Sequence, residues 1–185
     1  MRRPDTRTYA DENANRNGAG RRPKGSGMKR IGYAAGAYDL FHVGHLNLLK
    51  HAKQQCDVLI AGVVSDEMLV VSKGREPVVS TMERAEIVRH ISVVDDVYVE
   101  RVPDKLEVWE EVRFTHFFKG DDWRGTEKGL LLEERFAAVG VEVVYFPYTA
   151  HTSSTALRRA LQLLETPVVE LQGTERRAVS TPLLV

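Results

Sequence analysis

Two histidines, His42 and His45, stand three residues apart around Gly44, and Leu46, Leu49 and Ala52 follow at helical spacing. The stripe predicts a helix starting at the histidines, and the apolar run into Gly36 before them predicts a strand. A helix start carries unpaired backbone N–H groups and the positive end of the helix dipole, which makes it a seat for phosphate. The spacing sets both imidazoles on one side, and Gly44 leaves the backbone open to a ligand. So placed, the pair can donate two hydrogen bonds to one phosphoryl group. Histidines at this spacing also form zinc half-sites, but such a site wants further thiolates or a glutamate at ligand spacing. Cys56 is the only cysteine, and no H-E-x-x-H occurs.

Three more clusters offer related chemistry. Lys73 and Arg75 flank Gly74, Gly120-Asp121-Asp122-Trp123-Arg124-Gly125 is polar and glycine-bearing, and Thr152-Ser153-Ser154-Thr155 precedes a helical stretch with Arg158. One hydroxyl suffices to cap a helix, so four in a row suggest a ligand. With a nucleoside triphosphate across these clusters, the hydroxyls, backbone N–H groups and Arg158 would hold its phosphates. His42 and His45 would donate to oxygens that gain charge in the transition state, and Lys73 would neutralise further charge. A phosphate-monoester nucleophile needs no general base, because its second pKa of about 6 leaves it largely dianionic at neutral pH. Mg²⁺ is the expected companion of the triphosphate, and no side chain is assigned to it. Each group alone has a plainer reading: Ser153 and Ser154 as caps, Lys73 and Lys105 as solvated lysines, Asp121 and Asp122 as a turn, Asp66 as a strand end. Their joint position at strand ends favours a site.

The elements that must position these groups alternate. Strands are predicted at 31–35, 58–64, 97–100, 115–119 and 141–146, and helices after the histidines, from the capping box Ser80–Glu83 to about His90, and at 104–112, 130–139 and 156–164. Val58 to Val64 is apolar throughout, as a strand buried on both faces requires. Gly140 suits a left-handed C-cap. The stretch from Ser65 through Lys73 to Pro77 reads as a strand end and a loop. The alternation predicts an α/β fold, a Rossmann-like doubly wound parallel sheet of five strands in a single domain, whose carboxyl edge gathers the polar loops.

The 185 residues carry 43% hydrophobic side chains and equal charge, 26 Lys plus Arg against 26 Asp plus Glu, enough for one packed core and no global field for nucleic acid or membrane. One cysteine fits a reducing cytoplasm, and no apolar run is long enough to span a bilayer. Residues 1–28 are rich in Arg and Gly, lack the apolar centre of a secretory signal, and are expected to be a disordered tail, with Met28 an alternative start. The expected domain is 29–165, followed by a loose tail at 166–185.

Gly36 to Lys53 resembles the GTFD-x-x-H-x-GH signature of the cytidylyltransferase group of α/β nucleotidyltransferases. With Lys119-Gly120-Asp121-Asp122-Trp123 and Ser153-Ser154-Thr155-x-Leu157-Arg158, the likeness is nearest to the glycerol-3-phosphate cytidylyltransferase branch and covers about Lys29 to Leu164. The resemblance implies transfer of CMP from CTP to a small phosphorylated alcohol, with His42, His45, Lys73 and Arg158 catalytic. It implies a nucleotide site made by Ala37, Tyr38, Asp39, Gly44, Asp122, Tyr148, Thr149, Ser153, Ser154 and Thr155, an acceptor site made by Lys73, Lys105 and Asp66, and a homodimer. Departures are Ala37 for the usual Thr, Ser92 for Arg, Tyr148 for Arg and Thr152 for Ile. The alternatives are an ATP-dependent adenylyltransferase acting on a sugar phosphate or similar acceptor, and a nucleotide-binding module without turnover.

Overall fold

The computed structural model describes residues 29–147 and 152–165; Tyr148 and Thr149 and both predicted tails lie outside the described residues. In chain order the elements are β1 (Ile31–Gly36), α1 (Val43–Gln55), β2 (Val58–Val64), α2 (Asp66–Lys73), α3 (Thr81–Arg89), β3 (Asp96–Glu100), α4 (Lys105–Val112), β4 (His116–Gly120), a single 3₁₀ turn (Asp121–Trp123), α5 (Glu127–Ala137), β5 (Glu142–Phe146) and α6 (Ser154–Glu165). All five strands are parallel, in the order β3-β2-β1-β4-β5. This is the predicted α/β sheet. Strand order reverses direction between β1 and β4, the position at which open parallel sheets leave a crevice for ligands.

Helices cover both faces. Leu49 and Ala52 of α1 and Ala85 and Val88 of α3 pack with Leu59, Val63 and Phe118 on one side. On the other, Val108 of α4 and Phe136 of α5 enclose Tyr33, Phe114 and Phe117. Full burial of each of these large side chains contributes about 1.5–3 kcal/mol relative to exposure. Gly62 of β2 is dictated by this packing, because a Cβ there would stand 2.1 Å from the Tyr33 hydroxyl oxygen.

One local feature departs from the sequence reading. The segment expected to be a loop is helix α2, capped by Ser65, whose hydroxyl accepts from Met68 N–H, and closed by Gly74 at φ +65°. Lys73 is thus the last residue of a helix and not a loop residue. The predicted capping box of α3 forms, with the Ser80 hydroxyl accepting from Glu83 N–H and the Glu83 carboxylate from Ser80 N–H. Gly140 has the left-handed conformation expected of it, φ +74°. Asp95, close in sequence to the substituted Ser92, accepts from Leu59 N–H at 2.6 Å and pairs with Lys53 at 2.5 Å, fastening the start of β3 to β2 and α1.

Candidate active site

The chain leaves β1 through two non-glycine residues with positive φ, Tyr38 (53°) and Leu40 (50°). Such backbone is held only where the surroundings over-determine it. Tyr38 is buried, and its hydroxyl donates to Ala34 O at 2.8 Å. The carboxylate of Asp39, between them, accepts from Val78 N–H and Val79 N–H at 3.0–3.1 Å and from Arg158 at 2.5 Å. Its carbonyl accepts from the Ser154 hydroxyl at 2.7 Å. One buried aspartate therefore joins the β1 turn, the loop before α3 and the N-terminus of α6.

His42 is the N-cap of α1, and its Nδ1 accepts from Gly44 N–H at 3.0 Å, while His45 Nδ1 accepts from His42 N–H at 3.4 Å. The histidines are therefore a capping box in which imidazoles replace the usual hydroxyl and carboxylate. An Nδ1 that accepts is unprotonated, so the proton of each neutral ring is on Nε2. Burial, followed by the charges of His42 and Lys73, pulls His45 down to about 4, and burial lowers His42. At neutral pH the site thus presents two uncharged Nε2–H donors on rings whose centroids lie 4.1 Å apart.

Both histidines line a cavity of about 300 Å³ together with Lys73, Arg75, Asp122, Thr155 and Arg158. Lys73 and Arg75 arrive from the end of α2, and burial and then the Arg75 charge lower the Lys73 ammonium. Ser153 also borders the cavity, but its hydroxyl caps α6 by accepting from Ala156 N–H at 3.1 Å. With Ser154 bonded to Asp39, two of the four hydroxyls are committed to placing α6, and Thr155 is an exposed hydroxyl at the cavity. Asp122 is carried by the 3₁₀ turn after β4.

Other expected site residues are engaged elsewhere. Tyr38 is a buried support beneath the turn, and the Gly44 N–H is used by His42. The Ala37 carbonyl accepts from Arg84, although the residue still borders the cavity. Asp66, expected at the acceptor, has Oδ1 on Arg84 at 2.6 Å and Oδ2 accepting from Thr81 N–H at 3.1 Å, and it lies outside the histidine cavity. Lys105 is paired with Glu100, which is fully buried and also accepts from the Tyr33 hydroxyl at 2.7 Å.

Sequence reasoning missed Arg84. Its guanidinium is buried and donates to Val79 O (2.8 Å), Val64 O (2.8 Å), Ala37 O, Asp66 and Thr81, tying the ends of β1 and β2 to α2 and α3. In the sequence it is one more charged position on a polar helix. Among the described residues no three His, Cys, Asp or Glu side chains gather into a metal-binding set, and both Asp39 oxygens are occupied. A resident metal does not fit these residues, whereas a metal carried in by phosphate oxygens needs none of them.

The sequence profile described as cytidylyltransferase-like matches residues 33–160. The chain is 36% identical over 118 residues to FAD synthase of Thermococcus onnurineus, spanning 62% of this chain and 77% of that protein. It is 34% identical over 125 residues to FAD synthase of Pyrococcus abyssi, spanning 66% and 84%. To the bifunctional protein HldE of Hyphomonas neptunium it is 29% identical over 135 residues, 72% of this chain but 27% of HldE. Among solved structures, the lipopolysaccharide core biosynthesis protein of Thermoplasma volcanium superposes with a TM-score of 0.57 at 22% identity, over 68% of this chain and all of that one, a likeness of fold. The profile match extends from β1 into α6 and includes the histidine turn, the Asp122 turn and Arg158, so the chain belongs to the cytidylyltransferase-like family of nucleotidyltransferases.

Proposed function

We propose that the protein transfers CMP from CTP to the phosphate of a small phosphorylated alcohol, glycerol 3-phosphate first among them, and releases pyrophosphate. The observation that carries this reading is the pair of neutral Nε2–H donors, His42 and His45, facing Lys73 and Arg158 across one cavity at the carboxyl edge of the sheet. An oxygen of the acceptor phosphate attacks the α-phosphorus, the bond from that phosphorus to the bridging α–β oxygen breaks, and pyrophosphate leaves with the electron pair. His42 and His45 donate to oxygens whose charge grows along that path. Donors already oriented by a helix cap need little reorganisation as the charge develops. Lys73 and Arg158 hold the triphosphate, and Asp39 keeps Arg158 in place by its carboxylate. Mg²⁺ supplies charge neutralisation when bound with the triphosphate.

Support for CTP comes from the Gly120-Asp121-Asp122-Trp123 turn, with Asp122 at the cavity, and from the resemblance it carries. Likeness to FAD synthases supports a second reading, in which ATP is the donor and an adenylyl group is transferred. A homodimer accompanies the proposal as the resemblance implies it, and a cytoplasmic location as the single cysteine suggests. Pyrophosphate release measured with Mg²⁺, each of the four nucleoside triphosphates and a panel of phosphate monoesters tests the reading. CTP with one acceptor is the expected result. Release with ATP alone would replace CTP by ATP, and nucleotide binding with no release from any acceptor would favour a binding module. His45→Ala is expected to lower turnover far more than it weakens CTP binding, since its contact strengthens in the transition state.

A further inference from the structure

We propose that the acceptor's phosphate is seated between Lys73 and Lys119 in a second chamber beside the histidine cavity, with Lys119 and not Lys105 as the second cation; the inference rests on the nucleotidyl-transfer reading above. The second chamber has a volume of about 280 Å³ and shares Ala37, Leu69 and Lys73 with the first. Lys73 therefore stands on the boundary between them, where an attacking phosphate and an α-phosphate would meet. Three more lysines border the chamber: Lys105, Lys119 and Lys128.

They are not equivalent. Lys105 is neutralised by the buried carboxylate of Glu100. Lys128 is exposed at the rim. Lys119, half-buried at the end of β4, has no carboxylate in ion-pair range among the described residues, and its ammonium lies 4.2 Å from the centre of the Trp123 ring. A cation over an indole face is positioned, but only partly compensated for lost hydration. Burial first, and then the Lys105 charge, bring it down to about 8. Glu100 and Asp122, beyond ion-pair range, offset this only in part, and an arriving phosphate dianion provides a direct counter-charge, so the cost of burying Lys119 becomes affinity for the acceptor. Met68, Val102, Pro103 and Trp123 complete the wall with apolar surface for the carbon skeleton of an organic phosphate.

The test uses the full chain with a non-hydrolysable α,β-methylene analogue of CTP at saturation, so that the histidine cavity is filled. Inorganic phosphate and glycerol 3-phosphate are then titrated calorimetrically into the wild type, Lys119→Met and Lys119→Arg. Loss of a charge-assisted contact predicts binding about 10-fold weaker in Lys119→Met, with most of it restored in Lys119→Arg and the analogue bound equally by all three. Equal phosphate affinity in the wild type and Lys119→Met overturns the proposal. If the analogue does not bind, the cytidylyl reading fails by itself, and the same titrations without it still decide the role of Lys119. Should Lys119→Met not fold, the ¹⁵N resonance of the Lys119 ammonium in the wild type decides instead: it moves on phosphate addition if the assignment holds and stays fixed if it does not.

Discussion

His45→Asn separates the two properties that the fold gives His45, a capping acceptor and a ring that refuses a proton. The amide oxygen of asparagine can take the place of Nδ1 in accepting from His42 N–H, but it does not titrate. In the wild type the group moves from its ordinary 6.5 to about 4 on folding. Between those values the unfolded chain binds a proton that the folded chain excludes, so stability is full above 6.5 and falls as pH drops toward 4. The loss is about 2 kcal/mol at pH 5 and about 3 kcal/mol at pH 4. The variant's amide carries none of it. Urea unfolding followed by circular dichroism at pH 7.5, 6 and 5 should therefore show the difference in unfolding free energy, wild type minus variant, shifting by about 2 kcal/mol against the wild type between the first and last. Parallel pH dependence in the two proteins would refute the neutral-imidazole assignment, and with it the uncharged state of the donors.

Arg84→Lys keeps the charge but cannot reach five acceptors, and stranding Asp66 and buried carbonyls should cost about 3–5 kcal/mol, read as a lower urea midpoint. Gly62→Ala drives a methyl group against the Tyr33 hydroxyl at 2.1 Å and should destabilise by about 1–3 kcal/mol in the same assay. Ser154→Ala removes the bond to the Asp39 carbonyl and should cost about 1 kcal/mol of stability, read as a thermal midpoint lowered by about 2–4 °C, with CTP binding weakened in the same variant because α6 is held less firmly.

The sheet is readable in the sequence because burial on both faces leaves a coarse mark: Val58 to Val64 has no polar residue to interrupt it, and the polar helices between the strands restart the pattern. The histidine turn is readable because its glycine and imidazoles precede an apolar stripe. Helix α2 is not, since Leu69 is its only buried residue while Val70 and Val71 face outward, leaving no stripe to detect; its caps, Ser65 and Gly74, are the available signal. Tyr38 looks like a ligand contact by position in the motif, but a left-handed turn sends its ring into the core. Arg84 and Glu100 are invisible for a more general reason. A charged residue is written the same way on a surface or in an interior, and only the three-dimensional partners that neutralise it tell the two apart.

The partners of Asp39 become available at different times during synthesis. Its first two, the amides of Val78 and Val79, follow it by 39 and 40 residues, whereas Ser154 and Arg158 follow by 115 and 119. Chains are made from the amino terminus and fold as segments emerge, and closures over longer stretches of chain come at a greater entropic cost. The strand ladders can pair before α6 exists, with the turn anchored on one side only. Arg158 reaches Asp39 at the end of that sequence. A chain stopped short of α6 would keep its histidines, its sheet and Lys73 while lacking Arg158, so on the proposed reading the grip on the triphosphate is completed only with the last helix.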